Sequence, residues 1–305
     1  MIAGRFRIGT RASNLAMAQS QQVASALLAA GYESELVPMV TKGDQVLDRA
    51  LDKVGGKGIF TTELETALLE GQVDLVVHSL KDLPTTLMAG LEVAAYALPD
   101  DPRDVLVANP DMTLERLPQG AVIGTSSIRR TAFLRAMRPD LEIVPVRGNL
   151  QTRLAKWHAQ GMDGLVLAAA GVHRLQWHDL ISSYLDPREF VPAPGQGILA
   201  VQIRAQDEVV GRAVGRLNDP AAELRAHVER KVLEALGGGC QVPLGVYAQI
   251  KDDMLMVTAR IVAQAGNAGI LVAEEGLAQN QKKVAQRVVD RLVAEGAQAY
   301  IEDLP

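Results

Sequence analysis

Apolar and polar positions along this chain switch between a period of two and a period near 3.6, and the switching outlines its architecture. RFRIG (5–9) reads as a strand. Ser13 to Ala30 follows as a helix, with Leu15, Val23, Leu27 and Leu28 at helical spacing and Gly31 as its stop. ELVPMV (35–40) is strand-like, Thr61–Glu70 helical, and VDLVVHS (73–79) a buried strand. Such alternation marks an α/β domain with a mainly parallel sheet. PDDPRD (99–104) reads as a linker, and a second set begins after it. That set comprises VLVA (105–108), AVIGT (121–125), a helix from Ser126, EIVPV (142–146), a helix near 150–160, and GLVLA (164–168).

LDPREFVPAPGQG (185–197) looks like a second crossing, and ILAVQIR (198–204) like a strand returning to the first set. A helix over Ala221–Leu236 then leads to GGGC, three strand patterns (YAQI, MLMVTARIV and GILVAEEG) and a final helix, Lys282–Ala294. The expected organisation is α/β. Residues 1–98 plus 198–217 form one lobe, 103–192 a second, and 218–305 a small α+β C-terminal domain. The two lobes share a local pattern. IGTRASNLA (8–16) and IGTSSIRRT (123–131) both run from strand through Gly-Thr to a serine-containing helix start. A helix start presents free N–H groups and partial positive charge to an anion. Simple capping accounts for either copy alone. The repetition, with basic residues beside both, points to two lobes directing anion-binding helix ends into a shared cleft.

Composition narrows the class. Of 305 residues, 48% are hydrophobic and 22% charged, the balance of a soluble globular protein. No apolar run approaches the roughly 20 residues of a membrane-spanning helix. MIAGRFRIGT carries no apolar signal region, so export is not expected. A single cysteine excludes an intrachain disulfide framework and fits a reducing cytoplasm. The net charge of −5 argues against non-specific nucleic-acid binding, while leaving room for a local basic cleft. No heptad pattern argues for association, so a monomer is expected.

Several residues could carry chemistry. Cys240 follows three glycines, a permissive and approachable backbone on which a thiol could hold a covalent group. The commoner fate of a lone cysteine is a small buried hydrophobe. His78, Lys81 and Asp82 fall within five positions just past the end of a strand, where ligand sites of open α/β sheets gather. Solvated loop charges would explain the same trio. Arg11, Lys53, Lys57, Arg129, Arg130, Arg147 and Arg153 together suit a ligand with several carboxylates or phosphates. Arg129 and Arg130 lie in the first turns of a helix, where a cation opposes the dipole, so an anion there is expected. VGGKGIF (54–60) lacks the Gly-Lys-Ser/Thr ending of a P-loop. His173 and His178 do not share a helix face and no Cys-x-x-Cys occurs, so no metal is expected.

The segments HSLKDLP (78–84), GTSSIRR (124–130) and GGGCQVPLG (237–245) resemble those of the hydroxymethylbilane synthase (porphobilinogen deaminase) family. IGTRAS (8–13), VTKGD (40–44), KVGGKGIFTTELE (53–65), DPRD (101–104), VRGN with TRLAK (152–156), AAAGVHRL (168–175) and PGQG (194–197) extend the resemblance over essentially the whole chain. It implies two lobes like those of periplasmic solute-binding proteins, with a hinge and cleft, plus a small third domain. It also implies a reaction. Four porphobilinogen molecules condense head to tail, losing four ammonia, to linear hydroxymethylbilane, and the chain grows on one covalent dipyrromethane cofactor. By the same resemblance the cofactor is joined by a thioether to Cys240, and Asp82 is the catalytic carboxylate that balances a cationic pyrrole.

Lys81, Asp82, Thr125, Ser126, Ser127, Arg129, Arg130, Arg147 and Gly148 are then the cofactor-binding residues. Arg11, Ser13, Lys53, Arg147, Arg153 and Gln196 bind substrate, and Lys57 and Phe60 belong to a lid. Three positions depart from the family's usual residues: Pro99, Thr62 and His173. The competing class is a two-lobed solute-binding or ligand-sensing protein, which the fold alone would permit. The lack of an export signal and the cysteine loop count against it. An acidic scaffold that binds partner helices finds no amphipathic motif in its support.

Overall fold

The computed structural model describes residues 4–41, 61–237 and 242–302. Lys53, Lys57, Phe60 and Cys240 lie outside these described residues. In chain order the elements begin with β1 (Arg5–Arg11), α1 (Asn14–Ala29), β2 (Glu33–Met39), α2 (Thr62–Leu69), β3 (Leu75–Ser79), a 3-10 turn over Leu80–Asp82, and β4 (Leu91–Ala97). β5 (Asp104–Ala108), β6 (Val122–Gly124), α3 (Ile128–Met137), β7 (Glu142–Val144), α4 (Leu150–Ala159), β8 (Gly164–Ala168), α5 (Ala169–Arg174) and β9 (Ile181–Tyr184) follow. β10 (Leu199–Arg204), α6 (Glu208–Val214) and α7 (Pro220–Ala235) come next. β11 (Leu244–Lys251), β12 (Met254–Val262), β13 (Gly269–Leu277) and α8 (Gln281–Ala294) complete the main elements.

The chain divides into two compact units, residues 1–100 with 197–223, and residues 101–196 with 224–305. The first holds a five-stranded sheet of order β2-β1-β3-β10-β4. β2, β1 and β3 are parallel, and β10 runs antiparallel to both β3 and β4. The second holds a sheet of order β7-β6-β8-β5-β9. Here β7, β6 and β8 are parallel, and β5 runs against β8 and β9. The two sheets therefore share one topology. In each, the reversed strand is the one that follows a crossing from the other unit. The parallel strands need a helical crossover between them, whereas a strand entering straight from a linker is free to run antiparallel.

Each sheet is buried by its own helices. Phe6, Ile8, Val23, Leu27, Leu75, Val77 and Val201 form a core in the first unit, with α1 on one face. α2 packs Leu64 and Leu68 with Val73 and Val76 on the other. In the second unit Phe133 of α3 meets Phe190 edge to face with centroids 5.5 Å apart, within a core that includes Leu106, Ile123 and Val166. β11, β12 and β13 form an antiparallel sheet whose core with α7 and α8 includes Val232, Val257, Val272 and Val288. The stretch read as a third domain thus has its own sheet and core, and it shares the second unit with the second five-stranded sheet. Val262 of β12 joins the core around Phe133, and the Val246 N–H donates to the Pro192 carbonyl at 2.9 Å. Among the described residues no helix is long and apolar enough to cross a membrane.

Candidate functional site

In the first unit the chemistry-bearing residues stand at the carboxyl ends of two adjacent parallel strands. β1 ends at Arg11, and Ser13 caps α1 by accepting from the Ala16 N–H at 3.4 Å. β3 ends at Ser79 and passes into the 3-10 turn that carries Lys81 and Asp82. The Leu80 N–H donates to the Ile198 carbonyl at 3.0 Å, and the Leu83 N–H closes the turn on the Leu80 carbonyl at 3.1 Å. This leaves Asp82 exposed while Leu80 and Leu83 on either side are buried.

The strand end beneath that turn is braced by buried polar side chains. Gln19 of α1 donates to Ser79 Oγ at 2.8 Å. His78 Nε2 lies 3.0 Å from Gln202 Oε1 on β10, and Gln202 Nε2 donates to Glu65 Oε1 at 2.9 Å. Burial pushes the His78 imidazole below its ordinary value. The Gln202 contact and the charges of Glu65 and Asp82 oppose that shift, and Arg11 adds to it.

The second unit repeats the arrangement of capped helices after strand ends. β6 ends at Gly124, where an added Cβ would lie 2.5 Å from Leu165 and 2.7 Å from Val146, so only glycine lets the strand approach its neighbours here. Thr125 Oγ1 then accepts from the Ser127 N–H at 3.2 Å, Ser126 Oγ donates to the Val146 carbonyl at 2.9 Å, and Ser127 caps α3. After β7, Gly148 turns at φ +109° and Asn149 caps α4, accepting from the Thr152 N–H at 2.9 Å. Arg153 Nε donates to the Gly148 carbonyl at 2.9 Å, which ties the Arg147–Gly148 turn to the helix.

Arg129 and Arg130 start α3, yet their side chains turn inward to Asp104, which is fully buried. Arg129 Nη2 meets one carboxylate oxygen at 2.8 Å, and Arg130 Nε and Nη2 meet the other at 2.9 and 2.7 Å. Gln196 Nε2 donates to the same oxygen at 3.1 Å and to the Pro102 carbonyl at 2.7 Å. Burial lowers the Arg129 pKa, and Asp104 offsets part of that. Two guanidiniums on one carboxylate leave a net positive charge, and Arg129 Nε has no hydrogen-bond partner among the described residues. A buried donor without a partner is costly, and a ligand carboxylate would relieve that cost. A group bearing acetate and propionate arms therefore fits these residues.

Sequence reasoning passed over two members of this constellation. Asp104 lay within a stretch read as linker, although an acid leading directly into the apolar VLVA is a signal of a buried pair. Glu229 of α7 accepts from the N–H groups of Gly195 at 2.7 Å and Ala248 at 3.0 Å, which pins the turn that carries Gln196. Burial pushes the Glu229 carboxyl up in pKa, against the pull of Arg225 and those two bonds. Of the departures, His173 places Nε2 2.9 Å from the Tyr184 hydroxyl and stacks on His178, and Thr62 opens α2. Among the described residues no cluster of His, Cys, Asp and Glu is arranged to hold a metal.

Comparison with known proteins connects these pieces. The family model described as porphobilinogen deaminase, dipyromethane cofactor binding domain, matches residues 6–212, and that described as porphobilinogen deaminase, C-terminal domain, matches residues 223–294. A porphobilinogen deaminase of Syntrophobacter fumaroxidans is 41% identical over 301 residues, covering 98% of this chain and 97% of that one. One from Geobacillus kaustophilus is 44% identical over 298 residues, covering 97% and 96%. One from Desulfitobacterium hafniense is 42% identical over 303 residues, covering 99% and 98%. A solved periplasmic substrate-binding protein of a Coxiella burnetii ABC transporter is 15% identical, with a TM-score of 0.43, over 73% of this chain and 96% of that one. With both family models matched in order and relatives above 40% identity along nearly the full length, the chain belongs to the porphobilinogen deaminase family.

Proposed function

We propose that the chain is a hydroxymethylbilane synthase that condenses four porphobilinogen molecules head to tail into linear hydroxymethylbilane. Four ammonia molecules leave, and the hydroxyl of the product comes from one water. The match to the dipyromethane cofactor binding domain over residues 6–212 carries this reading. When bound, the dipyrromethane supplies the terminal pyrrole from which the chain grows. Cys240 is its proposed thioether anchor, and Lys81, Thr125, Ser126, Ser127, Arg129, Arg130, Arg147 and Gly148 are the residues that would hold it. The cationic surplus around Asp104 and the unpartnered Arg129 Nε support this assignment.

Arg11, Ser13, Lys53, Arg147, Arg153 and Gln196 bind the acetate and propionate of incoming porphobilinogen, each unit of which brings two negative charges. Asp82 balances the positive charge that develops as ammonia leaves, and it takes up the proton released at ring-to-ring bond formation. Its exposed position on a strand-end turn keeps that carboxylate within reach of substrate. Lys57 and Phe60 act as a lid. Residues 1–98 with 198–217, residues 103–192 and residues 218–305 serve as three functional domains in a cytoplasmic monomer.

Intact-mass measurement tests the reading directly. The purified protein should exceed its sequence mass by one dipyrromethane, and Cys240→Ser should abolish both the excess and the conversion of porphobilinogen. An unmodified and fully active wild type would overturn it.

A further inference from the structure

β13 is the outer strand of the three-stranded sheet, and among the described residues its backbone pairs only with β12. The ladder with β12 shows which of its groups face outward. Just before β13 the Ala263 N–H donates to the Ala268 carbonyl at 2.9 Å, and just after it the Ala278 N–H donates to the Asp253 carbonyl at 2.8 Å. Between these two bonds the register is unbroken, and hydrogen-bonded pairs of an antiparallel ladder recur at every second residue. The even-numbered residues of β13 therefore bond to β12, and Leu271, Ala273 and Glu275 turn their N–H and C=O groups outward. Leu271 and Leu277 are also exposed, as are Met254 and Met256 of β12. An open edge beside exposed apolar side chains is a template for pairing with another chain. This strand suits a second copy of itself. With Ala273 opposite Ala273, an antiparallel pairing sets Leu271 against Glu275 and Gly269 against Leu277, so outward groups meet outward groups about a two-fold axis.

Two of the outward carbonyls are already taken. Arg287 of α8 donates from Nη2 to the Glu275 carbonyl at 2.6 Å, and Arg291 from Nη1 to the Ala273 carbonyl at 3.1 Å. Glu274 holds both guanidiniums, with Arg287 Nε at 2.8 Å from Oε2 and Arg291 Nη1 at 2.9 Å from Oε1. The arginines are four apart and so share one helix face, which lets a single acid grip both. Half-exposed ion pairs of this kind add little stability, so their main effect lies in what they cover. We propose that Arg287 and Arg291, clamped by Glu274, cap the outer edge of β13 and keep it from pairing with the same strand of a second copy of this chain. The guanidiniums occupy the acceptors that the central bonds of that pairing need, and they would set like charges of two copies side by side. The inference rests on the reading of the chain as a monomer.

Sedimentation velocity and amide hydrogen exchange of the holoenzyme test it. In wild type the mass should stay that of one chain at every concentration. The amides of Leu271, Ala273 and Glu275 should exchange much faster than those of Ile270, Val272 and Glu274. With Arg287→Ala and Arg291→Ala combined, the mass should rise with concentration toward that of a dimer. The three outward amides should then exchange about tenfold more slowly once about nine-tenths of the chains are paired. Turnover of porphobilinogen should not change, since neither arginine belongs to the proposed site. Adding Ala273→Pro removes an outward N–H and should restore the single-chain mass. If the double variant does not fold, Arg287→Ala alone decides by the same two readings. A folded variant that stays a single chain at its highest soluble concentration overturns the proposal. So does association that leaves the three amides fast, which would put the contact elsewhere. Slow exchange of those amides in wild type at every concentration also overturns it, because another segment of the chain would then cover the edge. A wild type that associates with the three amides still fast would remove the monomer reading alone, and exchange in the double variant would still judge the cap.

Discussion

Two aspartates occupy matching sheets in opposite ways. Asp82 sits exposed just after β3 in the first unit, above a buried network of neutral and anionic groups. Asp104 sits fully buried at the start of β5 in the second, beneath two arginines. The sheets have the same strand order and the same reversed strand, so topology does not separate the roles. What separates them is what holds each carboxylate. Among the described residues no guanidinium holds Asp82, whereas Asp104 is held by two. On the proposed function, Asp82 would balance a developing cation and the Arg129–Arg130 pair would meet a carboxylate, while Arg11 and Lys81 bring anion-binding cations to the first unit as well.

The sharpest way to break this comparison is at Asp82. Asp82→Asn keeps the size and hydrogen-bonding ability of the side chain and loses the charge. Turnover should fall by ~100- to 10,000-fold, the range of general acid–base catalysis, while the melting temperature and the bound dipyrromethane mass stay close to wild type. Asp82→Glu should retain more activity than asparagine. Steady-state turnover of mass-matched samples decides it, and a loss of less than about threefold would end the assignment.

Asp104→Asn should show the reverse profile. It leaves two guanidiniums buried without a counter-charge, at a cost of about 3–5 kcal/mol. Denaturant unfolding should report that loss as a lower midpoint, and intact mass should report incomplete cofactor loading. A variant as stable as wild type would show that the arginines find solvent or another anion instead.

The smallest expected effect separates the networks by pH. The folded His78 pKa is lowered, so below about pH 6.5 the unfolded chain takes up a proton that the native one does not. Stability should therefore fall with falling pH, by up to about 1.4 kcal/mol per unit, until the depressed native value is reached. His78→Gln should remove that increment, and unfolding curves across this range measure it. Equal slopes in the two proteins would mean that His78 is charged in the native state.

Most of the architecture was legible in the order of periods along the chain. β3, β8 and β10 announce themselves as apolar runs because they are largely buried on both faces. RFRIG alternates because Arg5 and Arg7 face outward from β1, and burial along MLMVTARIV alternates because β12 is half-covered. β9 (ISSY) was not legible, since its backbone pairing with β5, rather than apolar content, makes it a strand. β4 was missed as well, its alanines giving a faint pattern. The serine-started helices after two strand ends were legible, as the caps at Ser13 and Ser127 show. The direction of Arg129 and Arg130 was not. Cations at a helix start signal an anion, and only the fold reveals that Asp104 supplies one from within.

The reversed strand of the first sheet has a consequence for how the protein is made. Among the described residues β4 pairs only with β10, and β10 follows it by roughly a hundred residues of chain. At typical synthesis rates of about 5–20 residues per second, β4 emerges about 5–20 s before its partner exists. During that wait β3 also lacks its β10 neighbour, so a flat apolar edge stands open on the nascent chain. The first unit cannot close its sheet on its own part of the message. It stays unfinished at the ribosome until most of the second has been translated.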